Sequence, residues 1–172
     1  AACLPDYHQA AGEKLNRAAA ALMETFPPHR FEAFVDNSPL PEVRTAALAG
    51  LGCVGDNGVL IHPEFGSWVF IGAIVTDLEL SLPIPGPIEE CLHCGACSAA
   101  CPSSCVGLTG EERRRRCLSA VSQKKGFLNA VEEELLRGSP LVWGCDRCQE
   151  VCPLNRKTRI APHPSFVGYQ GW

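Results

Sequence analysis

The chain contains 172 residues, of which 46 % are hydrophobic and 20 % are charged, and it carries a formal net charge of −4. This composition excludes an intrinsically disordered chain, and the charge gives no global electrostatic reason to bind nucleic acid. The longest apolar stretch, residues 68–75, is far too short to cross a bilayer, and no basic-then-apolar signal segment opens the chain. We therefore expect a cytoplasmic protein of one domain or two small ones, with no membrane partner.

The first elements alternate between helix and strand. Apolar side chains recur every three or four residues over 7–26, which predicts one face of a helix with Asp6 as its N-cap and Gln9 at the capping-box position. Residues 31–36 (FEAFVD) are rich in aromatic and β-branched side chains and predict a short strand. A second helix is expected over 38–49, because a Ser-Pro pair opens it and glycines follow it.

Two apolar runs, 59–61 and 67–75, show no clean alternation and therefore predict strands that are buried on both faces. Residues 1–80 thus indicate an α/β segment. A proline-rich linker at 81–89 is the predicted boundary. A cysteine-rich domain is expected over 90–160, with a tail over 161–172.

Two capping boxes predict helices in the cysteine-rich part. Thr109 with Glu112 indicates a helix that extends through Cys117. Asn129 with Glu132 indicates another helix, which a glycine closes.

The eleven cysteines carry the most specific signal. Cys91 begins a C-x2-C-x2-C-x3-C-P run, the spacing typical of bacterial ferredoxins. A second run begins at Cys145 and lacks one leading cysteine, for which Cys117 is the substitute. In such proteins the last cysteine of each run binds the cluster that the other run holds, so two 4Fe–4S clusters are predicted. The predicted ligands are Cys91, Cys94, Cys97 and Cys152 for the first cluster, and Cys101, Cys117, Cys145 and Cys148 for the second.

Zinc and disulfides are the alternatives. Two C-x2-C pairs suit zinc, but zinc would leave Cys91, Cys101 and both Cys-Pro steps unexplained. A disulfide framework needs oxidising surroundings, for which the sequence carries no export signal. The remaining cysteines, Cys3, Cys53 and Cys105, are predicted to be small, buried or half-buried hydrophobic side chains.

Several segments resemble the epoxyqueuosine reductase family, the cobalamin and iron–sulfur enzymes of queuosine tRNA modification. Besides the first cysteine run, they are DYH at 6–8, FVDNSP at 34–39, AGLG at 49–52, LIHPEFGSWVFIG at 60–72 and GCDRCQEVCPLN at 144–155. The resemblance implies an α+β protein in which a partial, cobalamin-domain-like α/β segment precedes a bacterial-ferredoxin-like double-cluster domain. Because the family has a longer N-terminal part, we expect a shortened or truncated member.

The resemblance also implies an oxidoreductase whose two clusters pass electrons to a cobalamin-centred reduction, on the epoxide of tRNA epoxyqueuosine or a related substrate. Asp36 matches the family's proton donor, and Tyr7 with His8 matches a pair near the corrin. A flavodoxin or ferredoxin-type electron donor and tRNA are the implied partners. The alternative is a stand-alone ferredoxin-like electron-transfer protein without cobalamin or tRNA activity.

Two positions depart from the family. Val43 stands where the family has an arginine, and Asp56 stands where a lysine is usual before the asparagine of a turn. From the residues alone, Asp36 also suits a simple capping turn before the second helix.

Overall fold

The structure, a computed structural model, describes residues 6–36, 38–81 and 90–159. The expected linker, apart from its first residue, and the expected tail lie outside the described residues, as does Cys3. No helix in this described part is both long and apolar enough to span a bilayer.

A long helix and a two-stranded sheet form the first layer. Helix α1 (Tyr7–Thr25) precedes strand β1 (Phe31–Val35), which confirms both predicted elements. Asp6 is the N-cap of α1 and accepts from the backbone N–H of His8 at 2.9 Å. The predicted capping box is wrong, because the Gln9 amide donates instead to Glu13, one turn along the exposed face.

The second helix begins later than predicted. Helix α2 runs Glu42–Leu48, with Pro41 at its N-cap position. The preceding residue, Leu40, is disfavoured in helical geometry because a proline follows it. Ser38 therefore makes a local turn, in which its hydroxyl accepts from the Leu40 N–H at 3.1 Å.

The strands that follow are short and antiparallel. Strands β2 (Cys53–Val54) and β3 (Leu60–Ile61) pair with each other, and β4 (Gly72–Thr76) pairs with β1. Both sheets of the described chain have two strands. The buried run at β3 agrees with the sequence, but the prediction for 67–75 is wrong. Strand β4 begins five residues later than that run and is partly exposed, because only one partner strand covers it.

The cysteine-rich part is built from short helices. They are α3 (Ala96–Ala100), α4 (Gly110–Arg116), α5 (Leu118–Ser122), α6 (Ala130–Arg137), α7 (Arg147–Glu150) and a 3₁₀ turn at Pro153–Asn155. The capping box of α6 forms as predicted, with Asn129 and Glu132 bonding to each other's backbone. Thr109 caps α4 without a side-chain bond, and Cys117 ends α4 in an extended conformation instead of continuing it.

Little apolar surface is buried in this second part. The described residues over 90–159 contribute only Cys105, Leu118 and Val121 to the buried apolar set. A domain of this size with so small a core needs another source of stability, such as a metal centre.

Candidate functional site

Two small cavities are lined mostly by the cysteine-rich part, and the first is lined also by residues between Gly55 and Ile61. Their volumes are about 20 Å³ and about 30 Å³. The cysteines of the first cavity are Cys91, Cys94, Cys97 and Cys152. Those of the second are Cys101, Cys105, Cys117, Cys145 and Cys148. The eight predicted ligands thus line the two cavities in two sets of four, and Cys105 adds one further thiol to the second cavity.

Two matched loop-and-helix units shape these cavities. Cys97 lies on α3 and Cys148 on α7, and the two helices pack against each other. Gly95, just before α3, has a φ of +73°, a left-handed conformation that glycine adopts without steric cost. This turn lets the chain curl around the first cavity. After each helix the chain becomes extended at the last cysteine of its run, Cys101 or Cys152, which lines the cavity of the other run.

The donor chemistry fits two iron–sulfur clusters. A 4Fe–4S cluster is held by four thiolates, and each cavity is lined by at least four cysteines. All ten cysteines that the structure describes are free thiols, so none is tied up in a disulfide. The second cavity also contains Arg113, a fixed positive charge beside the site where anionic thiolates would gather.

Asn57, from the turn between β2 and β3, lies between the two cavities. It is 3 % exposed and lines the first cavity. Its side-chain Nδ2 donates to the backbone carbonyl of Cys148 at 3.4 Å, and its backbone carbonyl accepts from the Arg113 guanidinium. The N-terminal segment is thus bonded directly to the wall of the second cavity.

The sulfur of Cys101 receives several hydrogen bonds. Although burial opposes it, donation from the backbone and side chains of Cys105 and Ser103 lowers the pKa of the Cys101 thiol to about 7. Around the first cavity the largest effect is burial, which raises the pKa of Cys97. Burial likewise raises the pKa of Cys148 at the second cavity, so Cys101 differs from its neighbours through its hydrogen bonds.

A second candidate site lies on the N-terminal layer. Tyr7 and His8 begin α1, and Asp36 directly follows β1, so the contact between helix and strand brings the three together. The Tyr7 hydroxyl donates to Asp36 Oδ2, and His8 Nε2 lies 2.9 Å from the same oxygen. Phe70 stacks on the Tyr7 ring with centroids 4.0 Å apart and an interplanar angle of 8°.

The electrostatics of this second site favour proton handling. Burial and then the hydrogen bond to Asp36 raise the pKa of the Tyr7 hydroxyl, which therefore remains a donor. The hydrogen bond to Asp6 is the largest cause that raises the pKa of His8. The Asp36 side chain is 44 % exposed, so an approaching molecule can reach it.

The capping hypothesis for Asp36 is wrong. The N-cap position of α2 belongs to Pro41 and makes no side-chain bond. Asp36 instead has a φ of +51°, an unusual value for a residue other than glycine. Backbone strain of this kind clusters at functional sites, where the surrounding contacts hold the residue in place.

Three residues at these sites were not identified from the sequence. Asn57 looks like a turn residue and Phe70 like a core ring, although Phe70 is 66 % exposed. Cys105 was set aside as a spare thiol but lines the second cavity. Its spacing from Cys101, one helical turn, was the available signal.

The chain is similar in sequence to known proteins. Residues 90–155 match a family described as a 4Fe-4S double cluster binding domain. The epoxyqueuosine reductase of Listeria monocytogenes is 38 % identical over 168 residues, which cover 94 % of this chain and 44 % of that protein. The epoxyqueuosine reductase of Lactococcus garvieae is 35 % identical and covers 94 % of this chain and 45 % of that protein.

Solved structures give the same relationship. The epoxyqueuosine reductase of Streptococcus thermophilus superposes with a TM-score of 0.75 at 31 % identity, covering 94 % of this chain and 43 % of that one. An epoxyqueuosine reductase crystallised with an epoxyqueuosine-modified tRNA-Tyr stem loop gives a TM-score of 0.78 at 31 % identity, covering 93 % and 42 %.

The chain spans less than half the length of the curated relatives described above. Within that span, similarity of sequence and of structure extends over more than nine tenths of the chain. Residues 90–155 therefore match the 4Fe-4S double cluster binding domain, and the chain is similar to the epoxyqueuosine reductases over the part of their length that it spans.

Proposed function

We propose that this chain is the cluster-bearing part of an epoxyqueuosine reductase-like oxidoreductase. In this proposal two 4Fe–4S clusters pass electrons to a cobalamin-centred reduction of the epoxide in tRNA epoxyqueuosine, or in a related substrate. The observation that carries it is the division of eight cysteines between two cavities, each cavity taking one cysteine from the other run. The likeness to epoxyqueuosine reductases over 94 % of the chain supports the same activity.

We further propose the cluster ligands. For the first cluster they are Cys91, Cys94, Cys97 and Cys152, and for the second Cys101, Cys117, Cys145 and Cys148. The positions of these cysteines around their cavities support the assignment. The clusters supply one-electron storage when they are bound.

Asp36 is the proposed proton donor, with Tyr7 and His8 as its supports. Reductive opening of an epoxide to an alkene consumes two electrons and two protons and releases the oxygen as water. Cobalamin, when bound, supplies a redox-active cobalt for this reduction. Asp36 delivers protons to the departing oxygen, and His8 Nε2 replenishes them from solvent, because the His8 side chain is 46 % exposed and lies 2.9 Å from Asp36 Oδ2. The Tyr7 hydroxyl fixes the carboxyl orientation.

The proposed partners follow from the same relatives. One relative was crystallised with an epoxyqueuosine-modified tRNA stem loop, which supports tRNA as the partner that carries the substrate. The clusters also require an electron donor, for which a flavodoxin or ferredoxin-type protein is proposed. Free thiols at ten cysteines are suited to a reducing compartment, and we propose the cytoplasm.

Three measurements test the proposed function. Anaerobic purification should give about eight iron atoms per chain, four for each of two cubanes. Cob(II)alamin titrated against the protein should change its absorption spectrum, and cells that lack the reductase should regain queuosine in tRNA when the chain is expressed. A protein that reduces its clusters reversibly but neither binds cobalamin nor restores queuosine would instead be a stand-alone electron carrier.

The roles of individual residues are tested by matched variants. Asp36→Asn should abolish queuosine formation and leave the iron content intact. Asp77→Asn is the control, because Asp77 has a similarly exposed carboxyl, at 46 % against 44 %, and also contacts a histidine.

For the ligands, Cys152→Ala should remove the first cluster and spare the second, although Cys152 belongs to the second run. Loss of the second cluster in that variant would contradict the crossed assignment.

A further inference from the structure

The second cavity contains one thiol more than a 4Fe–4S cluster needs. Cys105 is 3 % exposed, and it lines this cavity together with the four proposed ligands. The first cavity has four cysteines in its lining. Cys105 is thus a buried thiol whose presence the proposed ligand set does not explain.

Cys105 is positioned against one particular ligand. Its Sγ lies 3.6 Å from Cys101 Sγ, within the range of a hydrogen bond between sulfur atoms. Its backbone N–H donates to the same sulfur over 3.4 Å. The backbone N–H of Cys105 thus donates to the sulfur of Cys101, and the Cys105 thiol lies within hydrogen-bond distance of the same sulfur.

The intervening turn holds this geometry in place. The Ser104 N–H donates to the Cys101 carbonyl at 3.2 Å, and the Leu108 N–H donates to the Cys105 carbonyl at 3.2 Å. Ser104 has a φ of +48°, which turns the chain back toward the cavity. The Ser103 hydroxyl adds a third contact to Cys101 Sγ at 3.7 Å.

Hydrogen bonds to ligand sulfur change the energetics of a cluster. Each donor withdraws negative charge from the sulfur, and the reduced cluster is one unit more negative than the oxidised one. The donors therefore stabilise the reduced form more than the oxidised form. A site with more such donors has a higher reduction potential.

We propose that Cys105 is a positioning residue for the second cluster: its thiol, beside its backbone N–H, donates a hydrogen bond to Cys101 Sγ and thereby raises the reduction potential of that cluster. This proposal rests on the proposed assignment of Cys101 as a ligand. Cys105 itself does not bind iron in this arrangement, because the four irons already have four thiolates.

The test compares Cys105→Ala and Cys105→Ser with the wild-type chain in anaerobic redox titrations followed by electron paramagnetic resonance. The signal of the second cluster is identified by its absence from Cys145→Ala. Cys105→Ala should keep about eight iron atoms per chain and shift the potential of the second cluster downward. Cys105→Ser retains a donor and should restore most of that shift. Cys53→Ala is the control, since Cys53 is close to Cys91 and Cys152 at the first cavity, and the second potential should not change.

Equal second-cluster potentials in the wild type and Cys105→Ala would overturn the proposal. Loss of about four irons from Cys105→Ala would also overturn it, because Cys105 would then be a ligand. Failure of the proposed reductase activity is a separate result, since it is measured on tRNA and does not alter the potential of a cluster. A wild-type chain without iron would refute the cluster assignment and the tuning role together.

Discussion

Asn155 holds Ser67 through both atoms of its side-chain amide. The Ser67 N–H donates to Asn155 Oδ1 at 2.8 Å, and Asn155 Nδ2 donates to the Ser67 hydroxyl at 2.7 Å. The same Nδ2 donates to the Gln149 carbonyl at 2.8 Å. Because Asn155 follows Cys152 by three residues, these bonds fasten the end of the second cysteine run to the N-terminal segment.

Replacing Asn155 by alanine should destabilise the protein by about 1–3 kcal/mol, because the buried N–H of Ser67 loses its acceptor. The measurement is the Tm of the anaerobic holoprotein, followed by circular dichroism. Asn16→Ala, at an exposed position of α1, is the control and should change stability by no more than about 0.5 kcal/mol. Equal effects of the two substitutions would show that the Asn155 bonds contribute nothing to stability.

Replacing Tyr7 by phenylalanine tests the support of Asp36. The ring stack on Phe70 remains, but Asp36 Oδ2 loses the hydroxyl donor. We expect turnover to fall about 3- to 10-fold, a modest loss for a hydrogen bond to a carboxylate because Asp36 is partly exposed. Turnover of epoxyqueuosine is the measurement, and iron content should not change. Wild-type turnover in this variant would remove Tyr7 from the proposed mechanism.

The pKa of His8 should depend on Asp6. Its pKa lies above the ordinary value for histidine, with the hydrogen bond to Asp6 as the largest cause. Folding therefore favours the protonated His8 ring. The stability that this ring contributes is fully present at pH below the pKa of His8 in the unfolded chain, and it is lost as pH rises through the pKa of His8 in the folded protein.

Asp6→Asn preserves the helix cap and should lower the pKa of His8, as measured by nuclear magnetic resonance titration of its ring protons. Asp77→Asn, which alters a carboxyl next to a different histidine, should leave the His8 titration unchanged. An unaltered His8 pKa in Asp6→Asn would contradict the assigned cause.

Glu132→Gln should lower stability near neutral pH. Glu132 is 4 % exposed, and Lys124 Nζ donates to its two oxygens at 2.8 and 2.6 Å. This hydrogen bond lowers the pKa of Glu132. The stability that the carboxylate contributes is therefore present at pH above the pKa of Glu132 in the unfolded chain, and it is lost as pH falls through the pKa of Glu132 in the folded protein.

The Tm difference between wild type and Glu132→Gln should therefore narrow in acid. Glu133→Gln is a matched control, because the neighbouring carboxyl of the same helical turn is exposed. A difference that stays constant from neutral to acidic pH would show that the charge of Glu132 is not the cause.

The sequence predicted best what depends on local spacing. Three-residue steps place the leading thiols of each run in one loop, and the ferredoxin spacing predicted that Cys101 and Cys152, each four residues further on, would line the opposite cavity. The Asn129 capping box was predictable for the same reason. Strand burial was not: an apolar run such as 67–75 does not reveal how many strands will cover it, and β4 has one partner.

The contacts between distant segments could not be derived from periodicity. The position of Asn57 against Cys148 joins residues 91 positions apart, and nothing in either motif specifies the pairing. Likewise, Asp36 suited a capping turn locally, and its contact with Tyr7 depends on how α1 crosses β1. The family resemblance, rather than the residues alone, singled out these two.

The small apolar core of residues 90–159 has a consequence for how the protein is degraded in a cell. With so few buried apolar side chains to hold the helices, the polypeptide depends on the proposed clusters for stability, and each cavity is lined by cysteines of both runs. Oxidative loss of one cluster would therefore free a cysteine in the loop that binds the other cluster. Iron starvation or oxidative stress should thus expose this domain to proteases before the N-terminal layer is attacked.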